Sequence, residues 1–189
     1  MSRDQILNAA LTEFWEHGYG ASGLNSILAR CGLTKGGLYH HFGSKEDLAI
    51  AVLTQRIQVE IEQTWIAPIS RTRDPIRELK KILKDLIAKP PETLLPNGSP
   101  LVALCNGAPA RVIEAAGNVY QLWIHGLENS LKKAKTRGRV SRQLDATGLA
   151  NYLVVTVEGS TQIMHATKSK DIYTSSLRAA LEFLESLKK

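Results

Sequence analysis

Fifteen consecutive residues, TKGGLYHHFGSKEDL from Thr34 to Leu48, constrain the fold of this chain most, because they hold two helix starts and a tight turn. Thr34 can N-cap a short helix, and Ser44 can N-cap a second, with Asp47 three residues on to return the capping bond. The two helices therefore meet at Phe42 and Gly43. In the first, Leu38 and Phe42 are spaced i, i+4 and are expected to bury on one face, which turns Lys35, Gly36, Tyr39 and His40 to the other. That outward face carries no acid, and His41 is expected to turn inward against the core. Glycines at 36 and 37 weaken a helix by about 1 kcal/mol each relative to alanine, so they suit a backbone that must approach something bulky, such as the wall of a DNA groove.

Upstream, Ile6, Leu7, Ala10, Leu11 and Phe14 recur at helical spacing and stop at Gly18, which predicts a first helix over residues 3–17. Ser22 is expected to cap a second helix with apolar positions Leu24, Ile27 and Leu28, and Gly32 ends it just before Thr34 starts the next. A helix, a short turn containing glycine, and another helix is the helix-turn-helix plan, whose second member enters the major groove.

The segment GYGASGLNSILARCGLTKGGLYHHFGSKEDL resembles the amino-terminal signature of TetR-family bacterial transcriptional regulators. The likeness covers residues 3–50, with Gly18, Tyr19, Ile27, Ala29, Gly32, Lys35, Gly36, Leu38, Tyr39, His41, Phe42 and Lys45 in register. It departs at Gly23, where the family commonly has a hydroxyl residue, and at Gly37, usually threonine or another residue with a side chain. The resemblance implies a DNA-binding surface of Ser22, Asn25, Thr34, Lys35, Gly36, Gly37, Tyr39, His40 and Lys45. Lys35 and the glycines are expected nearest the bases, with Thr34, Tyr39, His40 and Lys45 on phosphate.

Charge supports this only locally. The chain carries a net +6, yet residues 1–66 hold 5 Lys+Arg against 7 Asp+Glu, so the surplus lies beyond residue 66. Within residues 30–45 there are three cations, Arg30, Lys35 and Lys45, and no acid. The densest basic block, KKAKTRGRVSR from Lys132 to Arg142, reads as a solvated helix end stopped by Gly138, the alternative being a second phosphate-binding patch.

From Ser44 a fourth helix is expected to reach Trp65. Asp74 and Pro75 form an N-cap and first-turn pair for the next helix, with Ile76, Leu79, Ile82, Leu83 and Leu86 as its apolar side. The segment KPPETLLPNGSP has prolines at 90, 91, 96 and 100 and cannot form a regular helix. Helices are expected over 111–137, 145–167 and 171–187, so the chain reads as all-α, with residues 1–48 as a three-helix DNA-binding head and 49–189 as an effector-binding and dimerisation domain. The aromatic stripe with Tyr120 and Trp123 reads first as core packing; as the resemblance implies an effector pocket, Leu83, Leu104, Cys105, Tyr120 and Trp123 are its candidate lining. The last two helices resemble the family's dimerising pair, with Leu153, Gly159, Ile163, Leu177, Leu181 and Leu184 as the candidate interface.

Two cysteines make no disulfide framework, the charged start MSRDQ lacks the apolar core of a signal peptide, and no stretch approaches the ~18–20 apolar residues of a membrane span. A cytoplasmic protein is expected, with no membrane partner. His17, His40, His41, His125 and His165 show no metal-ligand spacing, and no phosphate loop or nucleophile elbow is present, so neither enzyme activity, nor metal, nor cofactor is expected. The sequence therefore reads as a homodimeric repressor on a palindromic double-stranded operator, released by a small apolar or amphipathic effector. Two alternatives stay open: a thiol-sensing regulator acting through Cys105, and a small-molecule-binding helical bundle whose DNA-binding head is vestigial.

Overall fold

The computed structural model describes residues 2–187, and the regular structure in that span is helical throughout. Helix α1 (Arg3–Ala21) is broken at Gly18, whose φ of 76° and ψ of 160° turn the last residues out of helical register. Helices α2 (Leu24–Cys31) and α3 (Lys35–His41) follow, joined at Gly32. Gly32 adopts φ 64°, left-handed backbone that suits glycine, and this lets the Leu33 N–H reach the Leu28 carbonyl at 3.1 Å.

A continuous helical rod, α4, spans residues 45–71. It starts as Lys45–Val52, widens to π-helix at Leu53–Ile57 and again at Glu62–Ile66, and ends as Ala67–Arg71. The rod thus runs past Trp65, where the sequence placed its end. Proline at 68 has no N–H for the residue four back and would clash with its carbonyl; the wide turn just before it opens that spacing and lets the helix continue.

Next come α5 (Pro75–Ala88), the short α6 (Leu94–Asn97), α7 (Pro100–Cys105), α8 (Ala110–Thr136), α9 (Ala146–Thr167) and α10 (Lys170–Ser186). Asp74 accepts the Arg77 N–H at 3.0 Å and Asp145 the Gly148 N–H at 2.9 Å, so both aspartates cap the helices that follow them. Among the described residues no helix is long and apolar enough to cross a membrane.

The chain forms two compact units, one running to Glu60 and taking in Asn97–Val119, the other comprising Ile61–Pro96 and Tyr120 onward. The compact units are therefore drawn along different lines from a linear division at 48/49. In the first, α1 packs against α2, α4 and α7 around Ile6, Leu7, Phe14, Ile27, Leu38, Leu48 and Leu101, all buried. The segments flanking α7 both meet α1: after α7 the Asn106 carbonyl accepts the Gly20 N–H at 2.8 Å, and before it the Gly98 carbonyl accepts Trp15 Nε1 at 2.8 Å.

In the second unit α10 packs on α5 and α9. Leu153, Leu177 and Leu184 have at most 1% of their surface exposed, inside this core, and Leu181 is half-buried. This corrects the sequence expectation for those three leucines, because a side chain already covered by its own subunit has no area to offer another. The outward stripe of α9 instead shows Tyr152, Val155 and Ile163 exposed around the half-buried Gly159, and Phe183 of α10 meets Tyr152 edge to face at 5.6 Å.

Gly126 lies where a Cβ would stand 2.7 Å from Ile66 Cγ1 and Cδ1. Gly126→Ala is therefore expected to lower stability by about 1–2 kcal/mol, overpacking outweighing the gain in helix propensity. In an Ile66→Ala background the sign should reverse. Denaturant melts of the four proteins check this, and an unchanged effect in the second background would show that Ile66 is not the obstacle.

Candidate nucleic-acid interface

Helix α3 is short and held at its start by Thr34, whose Oγ1 accepts the Gly37 N–H at 3.3 Å. Leu38 and Phe42 bury behind it, while Thr34, Lys35, Gly36, Tyr39 and His40 are exposed and Gly37 is half-buried. A Cβ at Gly36 would meet nothing within 4 Å, and one at Gly37 would make ordinary contact with Leu33 Cδ2 at 3.4 Å. Packing within the chain does not require either glycine. The open space in front of Gly36 leaves the helix backbone accessible to another surface.

Three side chains, His41, Ser22 and Lys45, sit differently from their sequence expectation. His41, expected to face the core, is exposed, its ring edge-on to His40 at 5.3 Å. Ser22 is buried and does not cap α2; its hydroxyl bonds back to the carbonyls of Glu13 at 3.0 Å and Gly18 at 2.6 Å, and Gly23 takes the cap position. This corrects its place among the DNA-facing residues, since a buried, committed hydroxyl cannot reach phosphate. Asn25 is exposed in the first turn of α2 together with Ser26, which sequence reasoning missed although its place in that turn signals it. Lys45 turns inward: its Nζ donates to the Tyr19 carbonyl at 2.6 Å and lies 4.2 Å from the centre of the Tyr19 ring. Burial pushes the Lys45 pKa down. The break at Gly18 explains this contact, because it takes Tyr19 out of the helix and leaves its carbonyl to be satisfied from elsewhere.

Arg30 is committed as well. Its guanidinium bonds Glu13 at 2.8 Å and also Glu16, tying α2 to α1 across a glutamate that is buried. His17 stands 3.9 Å from both carboxylates, so Glu13, Glu16 and His17 have the spacing of a metal cluster, but Arg30 already neutralises the acids. Of the three cations in the acid-free window, Lys35 alone lies on the exposed face with no ion pair or hydrogen bond among the described residues.

The entry to α4 is a tight polar joint. Ser44 Oγ accepts the Asp47 N–H at 3.0 Å and donates to Asp47 Oδ2 at 2.8 Å, and Arg111 at the start of α8 reaches Asp47 at 3.2 Å and Glu46 at 3.5 Å. The Ser44 hydroxyl first, and Arg111 after it, hold the Asp47 carboxyl below the usual carboxylate range. A depressed folded pKa stabilises above the unfolded value, near pH 4, and that contribution is lost as pH falls through the folded value. Ser44→Ala is expected to cost about 1 kcal/mol of stability and to raise the Asp47 pKa, both readable by melting and by carboxyl NMR titration. An Asp47 pKa that does not move would show that the hydroxyl bond does not form.

The candidate effector residues fall into both units. Leu104 is buried and Cys105 half-buried in the first, where burial pushes the Cys105 thiol up and away from the reactive thiolate. In the second, Leu83 and Trp123 are buried, the Trp123 ring lies 5.3 Å from that of Trp65, and the Tyr120 hydroxyl donates to Glu158 at 2.6 Å. Trp123 Nε1 is buried without a hydrogen-bond acceptor among the described residues, an orphan donor in an otherwise apolar core.

This geometry agrees with what the chain is similar to. Residues 6–52 match the family described as bacterial regulatory proteins, tetR family. The transcriptional regulator LmrA of Bacillus subtilis is 30% identical over 177 residues, covering 87% of this chain and 92% of LmrA. A TetR-family regulator from Cytophaga hutchinsonii superposes with a TM-score of 0.82 at 22% identity, over 99% of this chain and 96% of that one. The TetR-family regulator CifR, as a cysteine mutant complexed with a 26-bp double-strand operator, superposes with a TM-score of 0.82 at 18% identity, over 96% of each chain. A helix-turn-helix head in register with its family, and a relative matched over nearly its whole length, place this chain in the TetR family of bacterial transcriptional regulators.

Proposed function

We propose that the protein is a repressor that binds a palindromic operator as a homodimer and is released by a small apolar or amphipathic effector. The observation that carries the reading is the exposed, acid-free face of α3, with Lys35 free, Gly36 open, and Tyr39 and His40 beside them, set on a helix whose other side is locked by Leu38 and Phe42. Thr34, Gly37 and Asn25 flank that face, and CifR, of the same fold, is seen on an operator. Lys35 and Gly36 read bases, while Thr34, Tyr39 and His40 hold the backbone.

A single short helix presents few contacts, so specificity requires two copies at the ~34–36 Å spacing of one DNA turn. The exposed stripe of Tyr152, Val155, Gly159, Ile163 and Phe183 supplies the surface for the second copy. The effector binds in the second unit against Trp123 and Tyr120, where the unpaired Trp123 N–H favours a ligand with an acceptor. It releases DNA only by preferring the conformation with the wrong spacing, and a ~100-fold preference, about 2.7 kcal/mol, moves a balanced equilibrium decisively. The raised Cys105 pKa weighs against the thiol-sensing reading.

Selection of the protein on a pool of random duplexes at moderate salt should enrich a palindrome. Enrichment of nothing over bulk DNA would end the operator reading. Lys35→Ala should change which sequences win, lower affinity by about 10-fold and reduce the salt slope by about one. Lys45→Ala should instead lower the melting temperature and leave the salt slope unchanged, because its ammonium is turned inward onto the Tyr19 carbonyl.

A further inference from the structure

The geometry points to a second ligand site in the second unit, for a small amphipathic anion, built around the basic loop that follows α8. Gly138, at φ 65°, ends α8 and turns the chain back, and Lys135 Nζ pins the loop by donating to the Leu144 carbonyl at 2.9 Å. Between this loop, the start of α5 and the end of α10 lies a cavity of about 630 Å³. Small-molecule sites fall in the range of roughly 300–1,000 Å³.

Two kinds of surface line it. Arg77 and Lys80, one turn apart on α5, and Arg139 of the loop bring three cations to one space, above Ile76, Leu144 and Leu187. Their lack of partners is selective. On the same helix Lys81 pairs with Glu78 at 3.7 Å and Lys84 with Glu185 at 3.6 Å, whereas Arg77, Lys80 and Arg139 have no carboxylate partner among the described residues. Asp74 also lines the cavity, but its carboxylate is engaged with the Arg77 N–H as the cap of α5. Three converging cations repel one another until an anion enters, and arginines engage carboxylate or phosphate through paired N–H groups. The apolar floor then selects for a hydrocarbon or aromatic body attached to that anionic head. The occupant is thus a carboxylate or phosphate monoester with an apolar tail, held at residues separate from Trp123 and Tyr120.

Calorimetric titration of the intact protein with octyl phosphate, octanoate, octanol and inorganic phosphate tests this. Octyl phosphate and octanoate should bind, with affinity falling as salt rises, and octanol and inorganic phosphate should each bind at least tenfold more weakly. Arg77→Gln combined with Arg139→Gln should weaken octyl phosphate at least tenfold without changing the circular dichroism spectrum. Arg142→Gln, a neighbouring charge that does not line the cavity, and Trp123→Phe, in the core proposed for the effector, should leave it unchanged. Equal binding of octanol or of inorganic phosphate would overturn the site, as would a double variant that binds like the original protein, a loss matched by Arg142→Gln, or a loss caused by Trp123→Phe instead. Absence of binding by either amphiphile at millimolar concentration overturns it too.

Discussion

Gly107→Ala is expected to lower the stability of the first unit by about 2–4 kcal/mol. Two costs combine. Gly107 holds a φ of +71°, in the left-handed region that a side chain makes unfavourable, and its added Cβ would stand 2.9 Å from the Cα of Gly20. The obstacle is backbone, so no rotamer change relieves it. The two backbone segments can only separate, and the 2.8 Å bond from the Gly20 N–H to the Asn106 carbonyl is lost with them. A melting midpoint lower by roughly 4–16 °C is expected from a cost of that size. Gly36→Ala is the matching control, since its Cβ meets nothing: it should keep or raise the midpoint by helix propensity and yet weaken operator binding. If Gly107→Ala melts like the original protein, α1 and the turn after α7 do not approach each other as described.

If the protein is the homodimer proposed above, Gly159→Glu is expected to convert it to monomer while leaving the helical fold in place. Within one subunit an added Cβ at Gly159 has no atom within 4 Å, so the new side chain is tolerated there. Its surroundings on the same stripe are Val155, 67% exposed, and Ile163, 50% exposed, and on the proposed reading a second copy covers them. A carboxylate trapped in that seam without a partner costs about 3–5 kcal/mol, or roughly 100- to 1,000-fold or more in association. Sedimentation at low micromolar concentration should show monomer, operator affinity should fall with it, and the circular dichroism spectrum should not change. Leu153→Ala provides the contrast: from the buried side of the same helix it should cost about 2–5 kcal/mol of stability. Should Gly159→Glu remain dimeric on the operator, the outward stripe of α9 is not the interface.

What could be read from the sequence is what depends on near neighbours. Thr34, Ser44 and Asp74 each cap a helix whose donor lies three residues on, so residue type and spacing are enough to place them. Leu38 and Phe42 bury as their i, i+4 spacing predicts, and that alone orients Lys35, Gly36, Tyr39 and His40 outward. The all-helical class follows from the same local periodicity repeated along the chain.

The tertiary structure decided every question whose answer lies on a distant segment. Arg30 and Lys45 are cations in an acid-free window, yet Glu13 and Glu16 on α1 take one and the Tyr19 carbonyl takes the other, which no charge count over residues 30–45 can show. Ser22 has the residue type of a cap, but the bend at Gly18 brings two carbonyls of α1 to its hydroxyl instead. Helices α9 and α10 carry apolar residues on two sides, and periodicity finds both sides without saying which faces inward. Packing of α9 on α10, and of α10 on α5, settled it, burying Leu153, Leu177 and Leu184 and leaving Tyr152, Val155, Ile163 and Phe183 exposed. Local bonds are chosen among a few neighbours and so are written in adjacent residues, whereas a side chain's partner and the buried face of a helix depend on which segments the fold brings alongside.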